Sequence, residues 1–307
     1  MQLTDTITQS HIDAARNSGV CKNARDWLAS PHTYQELLDE HLDWFIWGVN
    51  ELDVTASVHL PNRVTRLDLD SLTSAKGLTI PSGVTYLYLN SLTSAKGLII
   101  PDGVQHLYLP SLTSAEGLTI PEGVLHLDLR SLTLAEGLTI PLGVEFLDLP
   151  SLASAKGLVI PEGVTDLDLS LLTSAKGLTI PASVDVLYLG SLTSAEGLII
   201  PTGVTILDLH SLTSAVGLTI PDSVTILYLD ALTSAKGLII PDSVATLHLN
   251  SLTSAEGLTV PASVTRLYAP ATVKEELKER ECNGLWRFSF RQLWRFFFRQ
   301  GSASEES

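Results

Sequence analysis

A proline stands at every twentieth position from Pro61 to Pro261, and no row between them gains or loses a residue. This spacing marks out ten full rows from 61 to 260 and a half row after them. A fixed period of this length is the signature of a solenoid, in which each row is one coil that cannot bury its apolar face alone and stacks on its neighbours. In the row from Pro81 the apolar positions are Val84, Leu87, Leu89, Leu92, Ala95, Leu98 and Ile100. The stretch VTYLYL (84–89) sets Leu87 and Leu89 on one side and Tyr86 and Tyr88 on the other, the period of a strand with one buried face. GLTI (77–80) repeats that alternation more briefly. Ala95 and Gly97 are small where the coil must turn tightly. The proline, with its fixed φ and no N–H, suits an extended segment on the outer side. A row has no room for a full α-helix beside a strand and two turns, so strand, extended chain and turn are expected.

The row VTYLYLNSLTSAKGLIIPDG (84–103) resembles a short bacterial leucine-rich repeat, written L-x-x-L-x-L-x-x-N-x-L with a following L-P. The IPxSVTxL stretch is similar to repeats of bacterial surface proteins and to FNIP-type repeats. The resemblance covers the region from Val58 to about Tyr268. It implies a leucine-rich-repeat-like β-solenoid of about ten 20-residue coils and leaves function open, since such repeats serve many partners. One departure stands out. The family's Asn, whose side chain bonds the turn backbone, is replaced by Leu72, Leu92, Leu112 and their equivalents. Those turn amides need other acceptors, and the flanking Ser71, Thr73 and Ser74 are the candidates. If these do not serve, the coil is nearer a regular β-solenoid than a horseshoe.

An open solenoid end exposes apolar core and an unpaired strand edge, so caps are expected. Residues 1–56 read as an α-helical N-terminal cap: Cys21, Ala24, Trp27 and Leu28 fall at helical spacing, and Thr33 with Glu36 forms a capping-box pattern. The solenoid is expected over 57–270, a short C-terminal capping helix over 271–283, and an aromatic/Arg tail over 284–307. Helices followed by twenty-residue repeats resemble the plan of bacterial effector proteins. Ligase effectors with similar repeats use a C-terminal catalytic Cys, but too little chain follows Cys282 for that domain.

The formal net charge of −15 disfavours nucleic acid, whose phosphates are bound mainly by Lys and Arg. It leaves a protein partner, a basic one included, or solubility alone. Two cysteines with no metal spacing argue against a disulfide framework and for a reducing compartment. The first residues hold no basic, apolar leader, so the expected setting is cytoplasmic, or secreted without a classical signal peptide. The chain is expected to be monomeric. No nucleophile elbow, phosphate loop or His-Glu-x-x-His is present, and no cofactor or catalytic residue is expected.

The positions free to carry function are those pointing outward from the strands. One column reads Arg66, Tyr86, His106, His126, Phe146, Asp166, Val186, Ile206, Ile226, Thr246, varying while the SLTSA frame hardly changes. The next reads Asp68, Tyr88, Tyr108, Asp128, Asp148, Asp168, Tyr188, Asp208, Tyr228, His248, almost only Asp and Tyr. Tyr offers large rigid contact area with a polar tip. Asp148 and Asp168 would repel across adjacent coils and gain from a cationic partner. The expected partner-binding set is Tyr86, Tyr88, His106, Tyr108, His126, Asp128, Phe146, Asp148, Asp166, Asp168, Tyr188, Asp208, Tyr228 and His248. Drift of unconstrained surface positions explains the first column equally simply. His106, His126 and Asp128 fall short of the three or four converging ligands a metal needs, so no metal site is expected. Lys76, Lys96, Glu116, Glu136, Lys156, Lys176 and Glu196 near one turn read as solvated cross-coil ion pairs.

The tail LWRFSFRQLWRFFFRQ (285–300) repeats an eight-residue unit almost twice and contains no acid. Arg287, Arg291, Arg295 and Arg299 are spaced by four. Its aromatics either cover the last coil or, from Trp286 to Arg299, dock the chain to a membrane surface or an assembly. The second possibility is the rival functional reading, that of a structural or membrane-associated protein.

Overall fold

The computed structural model describes residues 64–75 and 78–280, with short stretches between 7 and 40 (7–9, 12–13, 26–27, 29–33, 36–37 and 40). Eleven strands of three residues run from β1 (Arg66–Asp68) through β2 (Tyr86–Tyr88), β3 (His106–Tyr108), β4 (His126–Asp128), β5 (Phe146–Asp148) and β6 (Asp166–Asp168). β7 (Val186–Tyr188), β8 (Ile206–Asp208), β9 (Ile226–Tyr228), β10 (Thr246–His248) and β11 (Arg266–Tyr268) complete them. They form one parallel sheet in sequence order. Its register is offset by one row throughout, as in Leu87 beside Leu107 and Leu147 beside Leu167. The chain is a parallel β-solenoid, and the twenty-residue coil is its unit.

Three backbone turns close each coil. In the coil of β2 and its neighbour, Leu92 N–H donates to Leu89 C=O (3.1 Å), Leu98 N–H to Ala95 C=O (2.9 Å) and Val104 N–H to Pro101 C=O (3.1 Å). The Leu at the position where the resembled repeat carries Asn therefore has its amide satisfied by backbone rather than by the flanking side chains. The Ser of the frame serves the next corner, where Ser94 Oγ accepts from Lys96 N–H at 3.3 Å. That corner also needs a left-handed residue: Gly157 has φ 79°, with open space where a Cβ would stand.

The turns bring the apolar positions to one axis. Val84, Leu87, Leu89, Leu92 and Ala95 are fully buried, and so are their equivalents in the inner coils. The side 98–100 is sealed less completely: Leu98 and Ile100 are buried, whereas Leu138 and Ile140 are half-buried against the core. The outward position between them is β-branched in each row, Ile99 or Thr119 for example, which suits extended backbone. The prolines differ from the sequence expectation. Pro81, Pro121, Pro141, Pro161, Pro181 and Pro241 are buried and Pro101, Pro201, Pro221 and Pro261 half-buried, each opening the corner that turns into a strand.

A helix, α1 (271–280), closes the C-terminal end. Val273 is fully buried as a plug on the last coil. Glu276 accepts from Ala255 N–H (2.7 Å) and Ser254 Oγ–H (3.0 Å), and Arg280 donates to Ala255 C=O (2.5 Å). The helix thereby occupies polar groups that a further coil would otherwise cover. At the other end, the expected capping box is present: Thr33 N–H donates to Glu36 Oε2 (2.7 Å) and Glu36 N–H to Thr33 Oγ1 (3.2 Å). Ile7 and Ile12 are buried there, and Trp27 and Leu37 are half-buried. Cys21, Ala24, Leu28, Cys282 and the tail lie outside the described residues.

Two stability tests follow from this packing. Leu147→Ala should lower unfolding free energy by about 2–5 kcal/mol in urea titrations, the cost of a buried Leu deletion that leaves a cavity. Lys156→Ala, on an exposed corner, should stay within about 0.5 kcal/mol; equal losses would mean that inside and outside are misassigned. The second test concerns the cap. The bonds from Ala255 and Ser254 hold the Glu276 carboxyl below its ordinary range. A depressed folded value makes the contribution present above the unfolded carboxylate range and lost as pH falls through the lowered one. The Tm gap between wild type and Glu276→Gln should therefore be constant near neutrality and shrink in acid.

Candidate functional site: the strand face

Because the strands pair in register, each outward side chain lies about 4.8 Å from its counterpart in the next coil. Rings stack well at that spacing and like charges do not. The face divides accordingly. On the β2–β5 side, Tyr86 stacks on His106 (centroids 4.2 Å) and Tyr88 on Tyr108 (4.5 Å), while His126 lies against Phe146 at 5.8 Å. Arg66 covers the outer side of Tyr88 with its guanidinium carbon 4.3 Å from the ring centroid. A second, shorter stack joins Tyr228, His248 and Tyr268 at 4.4 and 4.1 Å. Burial in the stack, with His126 beside it, lowers the pKa of His106 and favours its neutral form.

Between the stacks the face is acidic. Asp148, Asp166, Asp168 and Asp208 stand on β5, β6 and β8, and Glu145 and Asp185 flank the strands. The expected repulsion between Asp148 and Asp168 is met locally. His126 Nε2 lies 3.2 Å from Asp148 Oδ2, and Asp168 accepts from Ser170 N–H at 2.9 Å and from the Ser170 hydroxyl. Asp208 accepts from His210 N–H (2.9 Å), with the His210 ring at 3.0 Å. Among the described residues no cation lies beside Asp166; burial, opposed by the Thr165 hydroxyl and reinforced by Asp185 and Asp148, raises its pKa.

One residue of the expected binding set is not on the open surface. Asp128 is 1% exposed, gripped through both oxygens by the Arg130 guanidinium. Arg130 is the group presented there. Tyr86 and Phe146 are the most open members of the aromatic part, at 39% and 41%, and Tyr188 is open at 36%. Tyr188 stands alone between Asp168 and Asp208 in the register. The alternation rule missed Arg130, His210, Glu145 and Asp185. They lie just outside the three-residue strands; Arg130 and His210, two residues past a strand end, reach back to Asp128 and Asp208, and only the position of each turn reveals that. Among the described residues, no group of three or more His, Cys, Asp or Glu is placed to hold a metal ion. The cross-coil ion pairs expected of Lys96, Glu116, Glu136, Lys156, Lys176 and Glu196 do not form; these side chains stay apart in solvent.

Coils closed by three turns, stacked on leucines and joined by one parallel sheet define a leucine-rich-repeat-like β-solenoid. Neither a protein-family model nor a curated protein sequence matches the chain. Solved structures similar to it include YopM, a leucine-rich effector protein from Yersinia pestis (TM-score 0.42, 16% identity, 71% of this chain and 80% of that one). YopM from Yersinia enterocolitica WA-314 is also similar (TM-score 0.36, 17% identity, 70% and 62%). So is CroV588, a circular leucine-rich-repeat protein (TM-score 0.41, 16% identity, 69% and 34%).

The Arg130 contact generates a prediction about the face itself. Arg130→Ala leaves a buried carboxylate with its backbone partner alone, and should cost about 1–3 kcal/mol in chemical denaturation. Adding Asp128→Asn removes the stranded charge and should recover part of that loss. A neutral Arg130→Ala would mean that Asp128 is solvated in solution.

Proposed function

We propose that the chain is a non-enzymatic scaffold that binds a protein partner across the strand face, from the β2–β5 aromatic stack over the acidic centre. The observation that carries this reading is the division of labour within each coil. Core positions repeat nearly unchanged, and within the described coils the strand face collects the rings, set among carboxylates, that packing does not require. Stacked rings give rigid contact area at little entropic cost, and a fixed row of carboxylates suits a partner with basic groups. A setting as a bacterial effector or mobile-element protein is part of the same proposal, as is a cytoplasmic or leaderless-secreted location.

The partner captured from host or native lysate is to be identified by mass spectrometry and its affinity measured. Tyr108→Ala and Tyr188→Ala should each weaken binding by more than about 1 kcal/mol, since buried Tyr anchors dominate interfaces. Asp148→Asn with Asp168→Asn should mainly slow association and flatten its salt dependence. An affinity indifferent to all four substitutions overturns the reading.

A further inference from the structure

The face already shows how it takes a guanidinium. Arg66 lies over the Tyr88 ring, and Arg130 grips the Asp128 carboxylate. The same two acceptor types recur across β6–β8 as Asp166, Asp168, Tyr188 and Asp208, with Asp185 beside them. Among the described residues no Lys or Arg forms an ion pair with any of these five; Arg130 acts on Asp168 only from a distance, and the ion pair nearby is that of His210 with Asp208. Elsewhere in the same chain, residues 285–300 carry Arg287, Arg291, Arg295 and Arg299 among seven Trp and Phe, with no acid. That segment supplies what the centre of the face lacks: guanidinium groups for the carboxylates and rings for Tyr188.

We infer that residues 285–300 dock on the β6–β8 part of the strand face of their own chain, their arginines meeting Asp166, Asp168 and Asp185 and their rings meeting Tyr188. The connection is long enough. The described chain stops at Arg280, beside the last coil. β8 and β6 lie three and five coils from β11, or about 14–24 Å at ~4.8 Å per coil. Arg287 lies seven positions beyond Arg280, which spans about 23 Å of extended chain, and Arg299 reaches far beyond that. Burial and the neighbouring Asp185 and Asp148 penalise the Asp166 charge, and a guanidinium beside it relieves that penalty. Tethering also raises the local concentration of the segment to the millimolar range, so modest contacts suffice. The segment would then compete with any external partner for the acidic centre and leave the β2–β5 aromatic stack open.

The test uses the full chain with the photo-crosslinker p-benzoylphenylalanine at Phe290, irradiated at low concentration and mapped by mass spectrometry. Crosslinks are expected within one chain, to residues of β6–β8 and their flanks. Their yield should fall at least about fivefold in Asp166→Asn/Asp168→Asn/Asp185→Asn, and similarly in high salt, because exposed charge pairs are screened. The Asp variant is checked for an unchanged melting temperature, and Arg291→Ala/Arg295→Ala provides an independent arm that leaves the coils untouched. Crosslinks to the cleft between the last coil and α1 (Leu258, Val264, Leu277) would overturn the proposal and make the segment an end cap. Crosslinks between chains would overturn it in favour of a second copy. Protection by anionic vesicles with no crosslink to the face would overturn it in favour of a membrane. Failure of the external-partner reading is told apart by Tyr108→Ala, which lies outside the segment's dock and is measured separately.

Discussion

The amide of Leu92 donates to the carbonyl of Leu89, Leu98 to Ala95 and Val104 to Pro101, and each coil repeats the set. These corner bonds are the constraint on which the rest depends. A corner closed by one backbone bond has no slack, so an inserted residue would throw the next strand out of register and turn its leucine outward. The row length is therefore invariant and the ladder runs without a break. Since the backbone closes its own turns, the side chains at the Leu72, Leu92 and Leu112 positions are released from capping duty and go to the core. A leucine there costs no polar satisfaction, because the corner amide already has its backbone acceptor.

The same ladder explains the composition of the strand face. In-register stacking multiplies whatever a column contains. A column of rings becomes the Tyr88–Tyr108 stack, whereas a column of carboxylates accumulates repulsion. The molecule meets the second problem with short local contacts: Arg130 for Asp128, His126 for Asp148, Ser170 for Asp168 and His210 for Asp208. All but His126 sit two residues beyond the Asp on the same coil, where the strand ends and the chain turns back. His126 reaches instead from the adjacent coil, which the one-row register makes its neighbour.

Solenoid ends need separate treatment, because the last coil has no successor. The helix α1 supplies an apolar plug through Val273 and polar closure through Glu276 and Arg280. Neither function depends on the repeat pattern, which is why the sequence changes character abruptly at Ala271. The fold thus separates two duties by position, corners and core for stability and ends for closure, and leaves the strand face free of both.

The period, the strand positions, the inward leucines and the Thr33–Glu36 capping box were legible in the residues alone. Each rests on a local rule, such as alternation, turn chemistry or a fixed spacing, that acts within one row or one helical turn. The prolines' inward packing, the half-sealed third side and the covering of Asp128 by Arg130 were not legible. They depend on where the corners fall, and so on how one coil meets the next. For the same reason His126 opposite Asp148 could be found only across the coil-to-coil register. Sequence by itself determined that the chain coils every twenty residues and which residues face the core, because burial of leucine acts on each row alike. Only the tertiary structure decided which outward groups remain open to a partner, because that depends on contacts between rows, where each row differs.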